Sequence, residues 1–153
     1  MTTELHPLGF FLPENTRLLM LGSFPPPRAR WSMDFYYPNI QNDMWRILGL
    51  IFYGNKDAFL RDKKAFSEEN AKAFCREKGI GIGDTAMEVI RLKANASDKF
   101  LEVVRPIDPE KVLSQIPECV AIVVTGQKAM DTLLSVLPGT EEPKVGFSSE
   151  FSC

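Results

Sequence analysis

The feature that most constrains this chain is a short apolar run that ends in a glycine and a triple proline. Residues 18–21 are four apolar residues in a row, followed by Gly22 and by three prolines at 25–27. A continuous apolar run of this length is typical of a strand that is buried on both faces of a parallel sheet. Glycine and proline mark the point where such a strand ends. The sequence therefore predicts a central strand of an α/β sheet at this position.

A long connection without helical periodicity follows that strand. It runs from residue 23 to about residue 41 and is rich in proline and aromatic residues, among them Trp31 and residues 35–37. Connections longer than about a dozen residues are uncommon in compact domains and are often functional. Open α/β sheets also bind their ligands at the carboxyl ends of strands. This connection is either one wall of a ligand site or a proline-rich surface loop over buried aromatic residues.

Apolar spacing and capping residues predict the remaining elements. The predicted helices cover residues 42–52, 57–78 with a break near Ser67, 84–90, a short stretch capped within 95–98 that reaches residue 104, 110–115 and 126–134. Residues 120–125 predict a second strand, residues 80–83 a tight turn, and residues 140–153 the start of an unfinished strand. Strands that alternate with helices indicate a parallel sheet. We therefore expect one α/β domain over residues 1–153, with an irregular lead-in over residues 1–15.

The overall charge does not indicate a nucleic-acid partner, whereas the distribution of charge leaves one open. Eighteen basic and twenty acidic residues give a net charge of −2, so no general cationic surface is expected. No acidic residue occurs between residues 15 and 33, where Arg17, Arg28 and Arg30 fall near Trp31. This is either a chance gap in acidic residues or a loop that contacts phosphates while its aromatic residues meet bases.

The cysteines and the single histidine limit the kinds of site that this chain can form. Cys75, Cys119 and Cys153 are odd in number and widely spaced, which supports neither a disulfide framework nor a metal site. We therefore expect a cytoplasmic protein without a metal or other cofactor. Residues 1–8 lack the features of a signal peptide, and no apolar run approaches the roughly 20 residues of a membrane span, so no membrane partner is expected. His6 lies near the terminus and is expected to be solvated and not catalytic.

Three short segments, taken in order, resemble half of a known active site. They are Leu-Gly-Ser-Phe-Pro at 21–25, Phe-Tyr-Tyr at 35–37 and Gln-Asn-Asp-Met-Trp at 41–45. This succession resembles the uracil-DNA glycosylase superfamily, most closely its hypoxanthine-DNA glycosylase and mismatch-specific branches, and residues 120–134 resemble its late strand, turn and helix. The resemblance implies a three-layer α/β/α fold with a short central, mainly parallel sheet. The superfamily's C-terminal Ser- or His-containing motif has no counterpart here, so we expect the sheet to be incomplete at that end.

The resemblance also implies an activity and a set of site residues. The activity is the excision of a deaminated base, uracil or hypoxanthine, from DNA by hydrolysis of the N-glycosidic bond in base-excision repair. The implied water-orienting residue is Asn42, for which a helix N-cap is the alternative role, and both roles are compatible. The implied base-binding residues are Gly22, Ser23, Phe24, Tyr37 and Asp84, and the implied DNA contacts are Arg28, Arg30 and Lys128. Tyr37 either stacks on the base or only forms the cleft wall.

The sequence departs from the two branches at several positions. Phe24 stands where the mismatch-specific branch has asparagine, and Asn39, Ile40 and Met44 stand where the hypoxanthine branch has histidine, proline and phenylalanine. Two other functions therefore stay open. One is a catalytically inactive relative that binds nucleic acid or a nucleobase. The other is an unrelated α/β hydrolase that uses Asp34, Asp43 or Asp84, although no metal-ligand cluster supports it. The oligomeric state is not predicted.

Overall fold

The computed structural model describes residues 2–93 and 100–153, which form eight strands and four α-helices. The strands are β1 (Glu4–Leu5), β2 (Leu18–Gly22), β3 (Leu60–Asp62), β4 (Ala65–Phe66), β5 (Ile80–Asp84), β6 (Ala86–Arg91), β7 (Leu101–Pro106) and β8 (Ala121–Val124). The helices are α1 (Met44–Tyr53), α2 (Glu68–Lys78), α3 (Pro109–Ser114) and α4 (Gln127–Ser135), and a 3-10 turn covers Arg28–Arg30. The predicted helices at 42–52, 110–115 and 126–134 and the two predicted strands are thus confirmed.

Strand β2 is the centre of a three-stranded parallel sheet in the order β5-β2-β8. Its side chains alternate between two hydrophobic clusters. Met20 packs with residues of α1 and α2 on one face, whereas Leu19 and Leu21 pack with residues of α3 and α4 on the other. Helices therefore cover both faces of the sheet, which confirms the predicted α/β fold class.

A second, antiparallel sheet in the order β1-β6-β7 was not predicted. The expected helix at 84–90 is wrong, because β6 covers Ala86–Arg91. The expected helical stretch that reaches residue 104 is wrong where β7 covers Leu101–Pro106, and its expected cap within 95–98 lies outside the described residues. The reason is long-range pairing. The amides of Thr85 and Ala86 donate to the carbonyls of Gly22 and Ser23 at 2.8 and 3.1 Å, so the chain stays extended beyond β5. The backbone of residues 86–91 then pairs with β1 and β7, so it forms a strand and not a helix.

The predicted helix over 57–78 is half wrong. Its first part is the hairpin β3–β4, in which Leu60 pairs with Phe66. Its second part is α2, which begins after Ser67, whose hydroxyl accepts from the amide of Asn70, and ends at Gly79 with φ 69°. The hairpin buries Phe59 and Phe66 in the same cluster as α1 and α2, and this burial outweighs the local helical spacing.

The lead-in is more ordered than expected and covers β5. Residues 80–83 are a buried strand and not a tight turn. Phe11 exchanges two hydrogen bonds of 2.9 Å with Ile82, so the lead-in lies antiparallel along the outer edge of β5. A Cβ atom on Gly83 would overlap the ring of Phe10, and one on Gly81 would lie 3.0 Å from Thr16. The alternating glycines therefore let this segment approach the strand closely.

The C-terminal residues form no strand in the structure. Residues 140–153 are irregular, so the expected unfinished strand is wrong, and Val145 and Phe147 are exposed. None of the helices in the described ranges has the length and apolarity needed to cross a bilayer. The expectation of a single domain stays a prediction.

Candidate active site at the ends of the parallel strands

A cavity of about 440 Å³ opens where the parallel strands end. Ligand sites are typically cavities of about 300–1,000 Å³. The residues that line it include all six predicted catalytic and base-binding residues, Gly22, Ser23, Phe24, Tyr37, Asn42 and Asp84. Thr125 and Gly126, which follow β8, and Pro25 and Pro26 of the long connection complete much of the wall. The structure thus brings residues from three strand ends and the aromatic connection to one place.

The chemistry of this cavity centres on Asp84 and His6. Asp84 is the last residue of β5, and its Oδ2 lies 2.7 Å from Nε2 of His6, which donates to it. Both side chains are 6% exposed. The expectation that His6 is solvated is therefore wrong. Hydrogen bonding compensates the cost of burying a carboxylate, and this explains why the two groups are found together.

The lead-in fixes the position of His6. The backbone amide of His6 donates to Met87 at 2.8 Å, and its Nδ1 lies 2.5 Å from the carbonyl oxygen of Leu8. The ring also packs against Phe24 and Tyr36, with centroid distances of 5.3 and 5.8 Å. Sequence reasoning missed this residue. The one available signal was the pair of alternating glycines before Asp84, which indicates that another segment covers that strand.

Gly22 provides the space in which the polar groups of the cavity meet. A Cβ atom at this position would lie 2.8 Å from Oδ1 of Asp84, 3.5 Å from Oγ1 of Thr125 and 3.6 Å from the hydroxyl of Tyr37. The first of these distances is too short for any real Cβ contact. The predicted site residue Gly22 is therefore needed for its lack of a side chain.

Tyr37 presents a buried phenol to the cavity. Its φ of 52° is uncommon for a residue with a side chain, and its ring meets Trp45 edge-on at 6.3 Å. Within residues 2–93 and 100–153 no hydrogen-bond partner accompanies its hydroxyl, and the neighbouring Thr125 hydroxyl donates to Leu21. Burial, and secondly the charge of Asp84, raise the pKa of Tyr37 well above its usual range. The phenol thus stays protonated and offers a hydrogen-bond donor to a ligand.

Asn42 lies at the exposed rim of the cavity. Its Oδ1 accepts from the amide of Met44 at 2.8 Å, so the side chain does cap the start of α1. Asp43 occupies the N-cap position but makes no capping hydrogen bond. An amide oxygen has two lone pairs, and the amide nitrogen has two donors. The capping bond therefore leaves the predicted role of Asn42 as a water-orienting residue possible in geometry, and that role stays a prediction.

The predicted DNA contacts lie around the cavity and not inside it. Arg28 and Arg30 are exposed on the 3-10 turn, and Lys128 is in the first turn of α4, next to the cavity-lining Gly126 and Ala129. Nucleic-acid binding by these residues stays a prediction. The side chains of Asp34 and Asp43, candidates in the hydrolase hypothesis, are 72% and 78% exposed. In the described part of the chain no three His, Cys, Asp or Glu residues cluster as metal ligands would.

The sequence matches no protein-family model and no curated protein. Among solved structures, the fold is similar to the solution NMR structure of a Methanosarcina acetivorans protein described as a putative uracil DNA glycosylase. The TM-score is 0.57 and the identity 24%, over 83% of this chain and 74% of that chain. This similarity confirms the fold that the sequence motifs imply. The chain therefore has a uracil-DNA-glycosylase-like α/β fold.

Proposed function

We propose that this chain is a DNA glycosylase that hydrolyses the N-glycosidic bond of a deaminated base, uracil or hypoxanthine. The observation that carries the proposal is the buried carboxylate Asp84, paired with His6, which lines a cavity of about 440 Å³ at the strand ends of a glycosylase-like fold. A base must leave the DNA stack to react, and such enzymes accept it in a snug pocket with aromatic walls. Phe24 and Tyr37 supply those walls here.

The polar groups of the cavity suit the edge that deamination creates. Uracil and hypoxanthine each present a ring N–H next to a carbonyl, whereas cytosine and adenine present a ring nitrogen lone pair at that position. An ionised carboxylate only accepts hydrogen bonds, so Asp84 would bind the ring N–H of the deaminated base and repel the parent base. The backbone N–H groups of Ser23 and Phe24 are the proposed donors to the base carbonyl.

The proposed reaction takes place between the cavity floor and its rim. The bond from C1′ of the sugar to the base nitrogen breaks, and its electron pair stays on the base. Water adds to C1′ and supplies the proton that the released base takes up. Asn42 at the rim would orient this water, and preorganised donors inside the cavity would stabilise the departing base.

His6 removes an electrostatic conflict in this scheme. A bare carboxylate at the floor would oppose the negative charge that grows on the departing base. A hydrogen bond from His6 Nε2 to Asp84 Oδ2, which lie 2.7 Å apart, would draw charge away from the carboxylate and fix its orientation. His6 is therefore a positioning residue for Asp84 in the proposal.

Base release is the direct test. Oligonucleotides that contain uracil or hypoxanthine would be incubated with the protein, and abasic sites would be measured by strand cleavage in alkali. We expect release from both and none from the cytosine and adenine parents, and we expect Asp84→Asn to reduce the rate by on the order of 100-fold. Asp62→Asn, which changes an exposed carboxylate of the β3–β4 hairpin outside the cavity, is the matched control and should react normally.

Two results would separate the proposal from its alternative. Absence of release at micromolar protein would refute the glycosylase activity. If the same protein still binds the modified oligonucleotides more tightly than the unmodified ones, a non-catalytic nucleobase-binding function takes its place. The observation that favours this second function is the capping bond of Asn42. Its Oδ1 already accepts a hydrogen bond from α1, so one of its two acceptor positions is not available to a water molecule.

A further inference from the structure

A second groove of about 320 Å³ adjoins the cavity. The two spaces share one wall, formed by Phe24, Pro25 and Pro26. On its far side the groove is lined by Trp31 and Arg28. A ligand that fills the cavity and continues past the shared wall would therefore enter this groove next.

Trp31 and Arg28 form a fixed stacking surface. The indole Nε1 of Trp31 donates to the carbonyl of Pro26 at 2.8 Å, which holds the ring in the loop. The guanidinium carbon of Arg28 lies 4.1 Å from the centroid of this ring. Bases stack both on aromatic rings and on arginine guanidinium planes. The pair thus places an aromatic ring and a positive charge next to each other in the groove.

The charge on Arg28 is available to a phosphate. Arg28 pairs with Asp34 at 3.0 Å, but their side chains are 64% and 72% exposed. Exposed pairs of this kind contribute little and exchange readily. A phosphate group can therefore replace Asp34 as the partner of Arg28.

Arg91, which also lines this groove, has a structural role. Its side chain is 10% exposed, bonds Glu4 at 2.9 Å, and donates to the carbonyl of Pro25 at 3.1 Å. It ties β1 to the proline segment, and Glu4 balances its charge. Among the described residues that line the groove, Arg91 is therefore a mostly buried cation that ties two segments together, and Arg28 is an exposed cation.

We propose that this groove binds the nucleotide that neighbours the flipped one, and that it selects single-stranded DNA. The placement next to a flipped base rests on the proposed function, whereas binding of a single strand does not. A base can reach the Trp31–Arg28 surface only when it has left its own stack and its pairing partner. In single-stranded DNA the base has no pairing partner to leave, whereas a duplex would have to break a second base pair.

Binding of oligonucleotides without any modified base tests this inference separately from catalysis. Fluorescence anisotropy would give the Kd of a labelled single strand and of the same sequence as a duplex. We expect the single strand to bind more tightly. We expect Trp31→Ala to weaken single-strand binding roughly 5- to 150-fold, since stacking contributes about 1–3 kcal/mol per base, and Trp31→Phe to retain most of it.

The charge of Arg28 is tested by the salt dependence. Arg28→Gln should lower the slope of log K against log salt by about 0.7, the value for one phosphate contact on a single strand. Arg61→Gln is the matched control, because Arg61 is 65% exposed and also pairs with an aspartate, Asp62, at 3.3 Å. The control should leave the slope unchanged. Thermal unfolding of each variant would verify that it is folded.

The outcomes distinguish the two proposals. If folded Trp31→Ala and Arg28→Gln bind the single strand like the parent protein, the groove inference is overturned, whether or not base release occurs. Equal affinity for duplex and single strand would also overturn it. If single-strand binding depends on Trp31 but no base is released, the glycosylase proposal fails and the groove stands as a single-strand binding site.

Discussion

At the scale of single residues, Asp84 owes its position to its neighbours. Gly22 leaves room for its Oδ1, and His6 binds its Oδ2. Tyr37 adds a buried phenol on the same side of the cavity. Each of these residues acts through a different property. Gly22 has no side chain, His6 has a ring N–H group, and Tyr37 has a protonated hydroxyl.

Asn42 offers a prediction at this scale, because it can be tested for capping and for catalysis separately. Asn42→Ala should lower the free energy of unfolding by about 1 kcal/mol through loss of the capping bond to Met44. It should also abolish base release. Asn42→Asp keeps the capping oxygen, so it should restore stability without restoring the parent rate, which would be checked by denaturant unfolding and by the release assay. A fully active, destabilised Asn42→Ala protein would leave Asn42 as a cap alone.

At the scale of elements, the lead-in and β5 work as one unit. The two hydrogen bonds between Phe11 and Ile82 fasten the lead-in to the strand, and Gly83 lets Phe10 lie on it. This arrangement carries His6 to the carboxyl end of β5, where Asp84 is located. The geometry of the site thus depends on a segment that contains little secondary structure of its own.

A substitution at Gly83 should disturb the site from a distance. The new methyl group of Gly83→Ala would overlap Phe10, displace the lead-in and cost about 1–3 kcal/mol of stability. Because His6 is the only histidine, its imidazole proton resonances report its environment without overlap. We expect these resonances to shift in Gly83→Ala, together with slower base release.

Gly9→Ala is the control for that experiment. Gly9 belongs to the same lead-in, and nothing lies within 4 Å of a Cβ atom placed there. Its histidine resonances should match those of the parent protein. Unchanged resonances in both variants would contradict the close fit between the lead-in and β5.

At the scale of the whole molecule, two hydrophobic clusters enclose the parallel sheet, and the one beneath the site contains most of the buried aromatic residues. Tyr36 and Cys75 belong to this cluster, and Tyr37 packs against it. Burial is the main cause that raises the pKa of Tyr36 and Tyr37 above the usual range and raises the pKa of Cys75 to about 12. The folded protein therefore holds these three protons more strongly than the unfolded chain does.

This difference predicts how stability depends on pH at alkaline values. The unfolded chain releases these protons near the ordinary values of 9 to 10, so above that range the unfolded state binds fewer protons than the folded state. The three groups make their full contribution to the free energy of unfolding below about pH 9, and this contribution is lost as the pH rises further. Denaturant unfolding from pH 8 to 11 should show a falling free energy, with a smaller slope in Tyr37→Phe. Constant stability over this range would contradict the burial of these groups.

The sequence by itself determined the parts of this protein that depend on neighbours along the chain. The apolar run of β2, the helical spacing of α1 and α4, and the glycine and proline at the strand end all follow from local periodicity and backbone preference. The rule that ligands bind at the carboxyl ends of strands predicted the long connection after β2 as a possible site wall. The grouping of Gly22, Tyr37 and Asp84 in one predicted site came from the resemblance of the motifs to the uracil-DNA glycosylase superfamily.

Only the tertiary structure decided the rest. The segment of β6 became a strand because it continues the ladder with β2 and pairs with β1 and β7, although its spacing also suits a helix. His6 and Asp84 are 78 residues apart, and no local pattern links them. Their pairing depends on how the lead-in packs on β5, and such long-range packing overrides propensities that differ by only a fraction of a kcal/mol per residue.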